Sequence, residues 1–567
     1  MSEQVQETKA QRVERLKREK NAWERIDEIR QFARDGFGSI SPEWLGTYFR
    51  SWGVYTQGDG VGAIGGKSGE GKALPFFMVR IRAPNGILSS AQVRVIADVS
   101  ERYGRGLADI TVRQNFQLHW VEIQNLPDLL ASLESVGLTT LGACGDVTRN
   151  ITGCPLAGVD GNELFDASAV ALELNRYFVG NAEFYNLPRK FKISITGCRE
   201  WCTYPEINDI GLTAVLRKRA DGVEKGFSLR VGGGLSTQPH LGVRLNAFVP
   251  YDKAVIVART IAEIFRDADV LRQSREQARL KFLFLKHGWN AETMLDELHR
   301  RLGFRFDPAE PEEIAGDGFR DHVGIHPQRQ AGLSYVGASV LRGRMNSEQL
   351  HAVAELADRF ADGQVRTTTM QNLILVNVPM AKSGALAAEL EALGLRVEPT
   401  TFWRGAVACT GTEFCKLAIT ETKAFTRWIV EELDALVPEF TEPLRINVTG
   451  CPNSCGQHWI SDLGLEGKKL KVDGVMRDAY YFCVGGSVGR EQAIARPVGY
   501  RCLATEVPAA ISRLLTGYLL VRNSDDTLHG FLNRQSADTI REMLAGAPTV
   551  DVPRDVAAAP APHGVEG

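Results

Sequence analysis

The chain has 567 residues, 44% of them hydrophobic and 24% charged, with a formal net charge of −3. This is the composition of a multi-domain globular protein with room for several cores, and it offers no bulk polycation to hold nucleic acid or an anionic membrane surface. No apolar run approaches the ~20 residues a membrane span needs, and the start, MSEQVQETKAQRVERLKREK, is polar with no apolar signal core, so a cytoplasmic protein is expected.

A charged helical arm opens the chain, followed by SWGVYTQ (51–57) and a glycine-rich stretch, GDGVGAIGGKSGEGK (58–72). The latter approaches a phosphate-binding loop but ends in Ala73, where a magnesium-binding hydroxyl would be needed, and no buried strand leads into it. A mobile surface loop is the expectation. FFMVRIRAP (76–84) reads as a strand, and TVRQNFQLHWVEIQNLPDLLASLESVGL (111–138) as an alternating strand, a turn and a helix with leucines at three- and four-residue spacing. His119, in that strand, is expected to be a satisfied partner within the fold. FKISITGC then brings a strand up to Cys198, with Cys202 four positions on.

The same order recurs downstream. TTMQNLILVNVPMAKSGALAAELEALGL (368–395) repeats the strand–turn–helix, and VTGCPNSCGQHWISDLGL (448–465) repeats ITGCREWCTYPEINDIGL (195–212), including both cysteines. VGGG (231–234) meets VGGS (484–487) at the same offset. Such self-similarity marks a duplicated unit. The Ala/Pro-rich tail TVDVPRDVAAAPAPHGVEG is expected to be disordered.

The cysteines carry the chemistry. Pairs at short fixed spacing in a reducing compartment point to metal binding or catalysis rather than disulfides. Cys409 and Cys415 lie in CTGTEFC, Cys451 and Cys455 in CPNSC, and 416–436 between them reads as an amphipathic helix across which the two loops can face each other. Four thiolates with Gly, Pro and Asn crowding them suit an iron–sulfur cubane, whose bulk calls for close backbone approach. Structural zinc, usually held by tighter knuckles, and unligated core cysteines stay open as readings. Cys483 and Cys502 fall outside any ligand spacing and are expected in the core.

C-x₅-C followed by TGCPNxCG, together with RQN, NLPRKF and VGGG in the other half, resembles the siroheme-containing ferredoxin-dependent nitrite and sulfite reductases. The resemblance runs from about residue 45 to 545. It implies an α+β, pseudo-twofold duplicated nitrite/sulfite reductase fold: ferredoxin-like half-domains plus two larger α/β siroheme–cluster domains. On this reading 1–75 is a helical arm with the glycine-rich loop, 76–148 and 319–400 are the ferredoxin-like half-domains, 149–318 the siroheme and substrate domain of the first copy, 401–547 the [4Fe–4S]/siroheme domain of the second, and 548–567 a disordered tail. It implies a [4Fe–4S] cluster on Cys409, Cys415, Cys451 and Cys455, with Cys455 also the axial ligand of siroheme iron and Asn453 beside the cofactors. The basic substrate pocket of the family maps onto Arg80, Arg149, Lys190 and Lys192, and its siroheme-carboxylate arginine onto Arg113.

The activity so implied is six-electron reduction of nitrite to ammonia or of sulfite to sulfide. Full-length likeness favours nitrite. A Lys-x-Lys pair at 190 and 192, where nitrite enzymes typically carry asparagine at the second position, resembles the sulfite enzymes, as does the pairing of Tyr55 with Cys144, which can be covalently joined in them. A non-catalytic iron–sulfur or zinc scaffold would lack the basic pocket, and a corrinoid-ring enzyme would lose part of it or the bridging cysteine. With no flavin or nicotinamide fingerprint in the chain, ferredoxin is the expected electron donor, a separate flavoprotein subunit the alternative, and a monomer fits the internal duplication. Cys198 and Cys202 stand where the family has lost a cluster. They are expected to be buried free thiols, against a second cluster that would draw in Cys144 and Cys154.

Overall fold

A computed structural model describes residues 7–63, 70–314 and 321–546. The tail expected to be disordered, 548–567, lies outside the described residues, as do positions 64–69 of the glycine-rich stretch.

Among the described residues, four five-stranded sheets come in two matching pairs. In the first ferredoxin-like sheet, strand Ala73–Ile81 pairs with Val54–Gly58 on one side and Phe116–Val121 on the other, and the latter pairs with Leu107–Ile110. The second repeats this with Gly324–Pro327, Leu333–Ala338, Leu373–Pro379 and Gln364–Thr367. Each sheet takes its fifth strand from the other copy. Arg344–Asn346 pairs with Leu107–Ile110, and Ile87–Ser89 with Gln364–Thr367. Helices Ser90–Tyr103 and Ser347–Phe360 follow those exchanged strands and pack on each other. Both begin at reciprocal caps, Ser89 with Gln92 and Asn346 with Gln349, which satisfy amide groups that the first turn leaves orphaned. One hydrophobic core runs through both sheets, from Phe77 and Leu118 to Val336 and Leu375.

The two larger domains share a second topology, each with its own core. In the first, Thr152–Gly153, Ile193–Thr196 and Ile210–Arg219 run parallel before Gly222–Val231 and Val243–Pro250 complete the sheet antiparallel. In the second, Ala406–Ala408, Ile446–Thr449, Leu463–Val472, Val475–Val484 and Arg496–Leu503 repeat the arrangement. The two Cys-x-x-x-Cys loops leave the ends of equivalent parallel strands.

Three local expectations need adjustment. The stretch before residue 75 is more than an arm and a loop, because Val54–Gly58 is an edge strand of the first sheet and its partner begins at Ala73, not Phe76. The helix expected over 416–436 starts at Lys423. Residues 416–422 instead turn their backbone groups to other segments: Ile419 N–H donates to Gly450 O at 2.7 Å, and Ala418 O accepts from Ala63 N–H at 2.7 Å. The described ends of the glycine-rich stretch are also engaged, with Gly58 N–H bonded to Phe414 O and Gly71 N–H to Lys416 O, both at 2.8 Å.

Candidate active site

Cys409 directly follows strand Ala406–Ala408, and Cys451 and Cys455 follow Ile446–Thr449, so the sheet delivers three sulfurs to one rim. Cys415 arrives on the turn clasped by Gly58, Ala63 and Gly71. Close approach explains the small residues. A Cβ on Gly450 would lie 2.8 Å from Thr420 O, and one on Gly456 2.3 Å from Val448 O. Donors aim at the sulfurs: Gly450 N–H reaches Cys409 Sγ at 3.2 Å and Asn453 Nδ2 reaches Cys451 Sγ at 3.5 Å. Backbone amides also bond Cys415 and Cys451.

Burial, and then the charge of Cys455, pushes the Cys415 thiol up to about 12 and raises those of Cys409 and Cys451. Covered sulfurs supplied with N–H donors, as at Cys409, Cys415 and Cys451, are costly as bare thiolates and well suited to sharing their charge with bound iron. No three of them lie within 4.8 Å of one another. A single tetrahedral zinc with Zn–S near 2.3 Å would hold sulfurs about 3.8 Å apart, so the wider set fits a cubane, in which each thiolate binds its own iron.

Lys190 and Lys192 flank Phe191, whose isolated parallel bridge to Thr148 keeps the segment extended just before strand Ile193–Thr196. Phe191 is buried in the core, so both lysines leave from the opposite side. Burial brings the Lys190 ammonium down to about 7, helped by Arg279 and opposed by the nearby Cys455. Lys192 is lowered by burial and then by Lys190. Neither ammonium has a hydrogen-bond partner among the described residues. Two lysines without a hydrogen-bond partner among the described residues, enclosed by protein yet only partly covered, make a site suited to a small anion.

The arginines are more occupied. Arg80 donates to Gln117 Oε1 through Nε at 2.9 Å and to Cys144 Sγ through Nη1 at 2.9 Å. Arg149 donates to the carbonyls of Gly145 and Ala143, at 2.9 and 3.2 Å. Arg113 spends its two terminal nitrogens on Asn208 Oδ1 and Asn150 O, while its Nε has no partner; burial and then Arg149 bring its guanidinium down to about 9. Tyr55 belongs to this group, its hydroxyl raised by burial and by Cys144. Asn115, Thr148 and Asn150 keep buried side-chain oxygens without hydrogen-bond partners among the described residues. An anionic ring with many carboxylates fits this surplus of cations and unspent polar atoms.

Sequence reasoning missed Arg279, which acts on both lysines and pairs with buried Asp209 at 2.8 Å. Asp209 was visible as the acid of the repeated Asp-hydrophobic-Gly-Leu ending. Its carboxylate accepts the Lys192 amide at 2.8 Å, as Asp462 accepts that of Arg445 in the other copy. His119 stacks on Phe414 at 3.7 Å and faces Asp109 at 3.3 Å, away from any axial role. Cys483 and Cys502 are buried in strands. Cys154 joins Cys198 and Cys202, while Cys144 lies apart beside Arg80.

Known proteins match this architecture along nearly its whole length. The nitrite and sulphite reductase 4Fe-4S domain matches residues 144–306 and 401–527, and the nitrite/sulfite reductase ferredoxin-like half domain matches 70–136 and 326–393. The assimilatory ferredoxin-dependent nitrite reductase of Haloferax mediterranei is 37% identical, covering 91% of this chain and 90% of that protein. Sulfite reductase [ferredoxin] 2 of Mycolicibacterium paratuberculosis is 34% identical over 91% and 93%. The solved structure of Mycobacterium tuberculosis NirA protein superposes with a TM-score of 0.88 at 33% identity, covering 93% of this chain and 97% of that one. The chain belongs to the nitrite and sulphite reductase family, oxidoreductases that depend on siroheme and a [4Fe–4S] cluster.

Proposed function

We propose that this protein reduces nitrite to ammonia by six electrons taken from ferredoxin. The observation that carries reduction of a small anion is the pair of ammoniums without a hydrogen-bond partner among the described residues, Lys190 and Lys192, beside the Cys455 loop; the choice of nitrite rests on the relatives so named. Cys409, Cys415, Cys451 and Cys455 would hold the cluster, with Cys455, the exposed member of the set, also reaching siroheme iron and Asn453 supporting Cys451. Arg113 and its neighbours would meet the ring carboxylates. When bound, the cluster and siroheme supply single electrons and an iron that takes the substrate anion.

The chain's own part is electrostatic and acid–base. Lys190 and Lys192 attract the anion and neutralise charge that grows as it is reduced, with Arg80 and Arg149 as further cations. An ammonium brought near 7 is also poised to give a proton to a departing oxygen and recover it from water. Relatives named as ferredoxin–nitrite reductases reach 37% identity, which supports nitrite and this donor. Lys192 favours a second reading, sulfite as the main substrate, since sulfite is partly a dianion at neutral pH and is better balanced by two ammoniums. Tyr55 and Cys144, grouped with Arg80, support the same reading. Among the described residues no helix is long and apolar enough to cross a membrane; a cytoplasmic monomer is the form that this reading supposes.

Steady-state turnover with chemically reduced viologen tests it. The expected result is reduction of both anions, with the larger kcat/KM for nitrite. A larger value for sulfite would make the second reading the right one, and turnover of neither would remove both.

A further inference from the structure

The first copy carries its own cysteine constellation. Cys154 follows strand Thr152–Gly153, and Cys198 and Cys202 follow the adjacent parallel strand Ile193–Thr196. These are the topological places of Cys409, Cys451 and Cys455. The equivalent of Cys415 is missing, because the loop after Cys154 reads PLAGVD. The three sulfurs have drawn together, with all of them buried and within 4.8 Å of one another.

That spacing separates the possible occupants. A cubane spreads its thiolates over several irons, and the other copy shows the wider arrangement. Sulfurs on one metal ion of zinc size stand about 3.8 Å apart, within the limit seen here. The surroundings fit a small thiophilic cation. Leu156, Val159, Tyr335, Ile374 and Val376 pack around the sulfurs and exclude hard, water-rich ions. Arg366 is buried against the same loop, donating to Pro155 O at 2.9 Å and Ala157 O at 2.8 Å. Its Nε has no hydrogen-bond partner and no carboxylate forms an ion pair with it among the described residues. Three thiolates around a divalent ion carry one net negative charge, which this guanidinium offsets.

We propose that Cys154, Cys198 and Cys202 form a second metal site, which binds one thiophilic d¹⁰ cation, zinc or copper(I), independently of the iron cofactors. Binding releases the three thiol protons and ties the ends of two adjacent strands together. Zinc would take a water as its fourth ligand, whereas copper(I) is content with three sulfurs.

The test is elemental analysis of the holoenzyme after gel filtration in EDTA, for wild type and Cys198→Ser. Wild type should hold about one zinc or copper per chain beyond its iron, and the variant should lose that metal with iron unchanged. The element found tells the two cations apart, and X-ray absorption at its edge should give sulfur neighbours near 2.3 Å. Absence of a non-iron metal, a metal retained in the variant, or iron in excess of one cubane and one siroheme would each overturn the proposal. Should the variant not fold, elemental analysis of the metal that a mercurial releases from wild type decides the same question: about one equivalent of zinc or copper beside the cluster iron supports the site, and no zinc or copper refutes it.

Discussion

Lys192 is where a single side chain bears on substrate choice. Its ammonium is crowded by Lys190, Arg113 and Arg279, against one nearby carboxylate, Asp209. A more negative anion gains more from that surplus than a monoanion does. Lys192→Asn should therefore raise the nitrite-to-sulfite ratio of kcat/KM by about tenfold, the worth of one charge-assisted contact. An unchanged ratio would show that the second ammonium does not discriminate. The lysine pair and the four cysteines proposed for the cluster stood out in the sequence because each set has a fixed short spacing. Arg279 did not, since it stands outside any motif and lies seventy residues from its partner Asp209 in sequence. Cys154 enters the sequence reading with Cys198 and Cys202 as a ligand of an unfavoured second cluster, but its approach to Cys198 comes only with the parallel pairing of two short strands.

The repeated Gln-Asn dipeptide shows what the elements do for the site. Gln114 and Gln371 both adopt left-handed backbone conformations, φ 63° and 64°, which turn their side chains across the boundary between copies. Gln114 Nε2 donates to Thr367 O at 2.9 Å and Gln371 Nε2 to Ile110 O at 3.0 Å. Their amide oxygens accept from Gly153 and Ala408 N–H, each next to a cysteine proposed to bind metal. Gln371→Ala would strand the buried Ala408 N–H and Ile110 O at a cost of about 2–4 kcal/mol. The expected outcome is a lower melting temperature with reduced iron content, while Gln114→Ala lowers stability and spares iron. Equal iron loss in both variants would contradict this division. Repetition in the sequence announced these dipeptides but not their purpose, since the exchanged strands Ile87–Ser89 and Arg344–Asn346 are too short to carry a periodic signal. The helix expected from residue 416 failed for a related reason. Its first turn has acceptable side chains, but tertiary bonds to Gly450 and Ala63 claim the backbone.

Across the whole molecule, the two large domains also grip each other reciprocally. Glu206 of the first copy accepts Gly489 N–H of the second at 2.5 Å, and Trp459 Nε1 of the second donates to Ser236 O of the first at 2.9 Å. These four residues are related by the same offset as Cys198 and Cys451. Burial raises the Glu206 carboxyl to about 7 from its ordinary 4.5. The folded protein thus binds more protons than the unfolded chain between those values, so this group's favourable contribution is complete below 4.5 and lost as pH rises through 7. Glu206→Gln should remove that dependence, gaining up to about 3 kcal/mol relative to wild type at pH 8 and nothing at pH 4.5. An unchanged difference between the variant and wild type at the two pH values would show that burial does not raise this carboxyl. The duplicated architecture was legible because both copies kept their motifs in order. The interlocking was not, because Glu206 and Gly489 sit in unlike sequence surroundings.

The account rests on the second copy holding the iron cluster while the first copy does not. Iron and acid-labile sulfide in Cys451→Ser and Cys198→Ser holoenzymes measure this most directly. The prediction is about five irons per chain in wild type, four in the cubane and one in the ring, with the cubane's iron and sulfide lost in Cys451→Ser and all five irons kept in Cys198→Ser. Full iron and sulfide in Cys451→Ser, or loss of the cubane in Cys198→Ser, would contradict it.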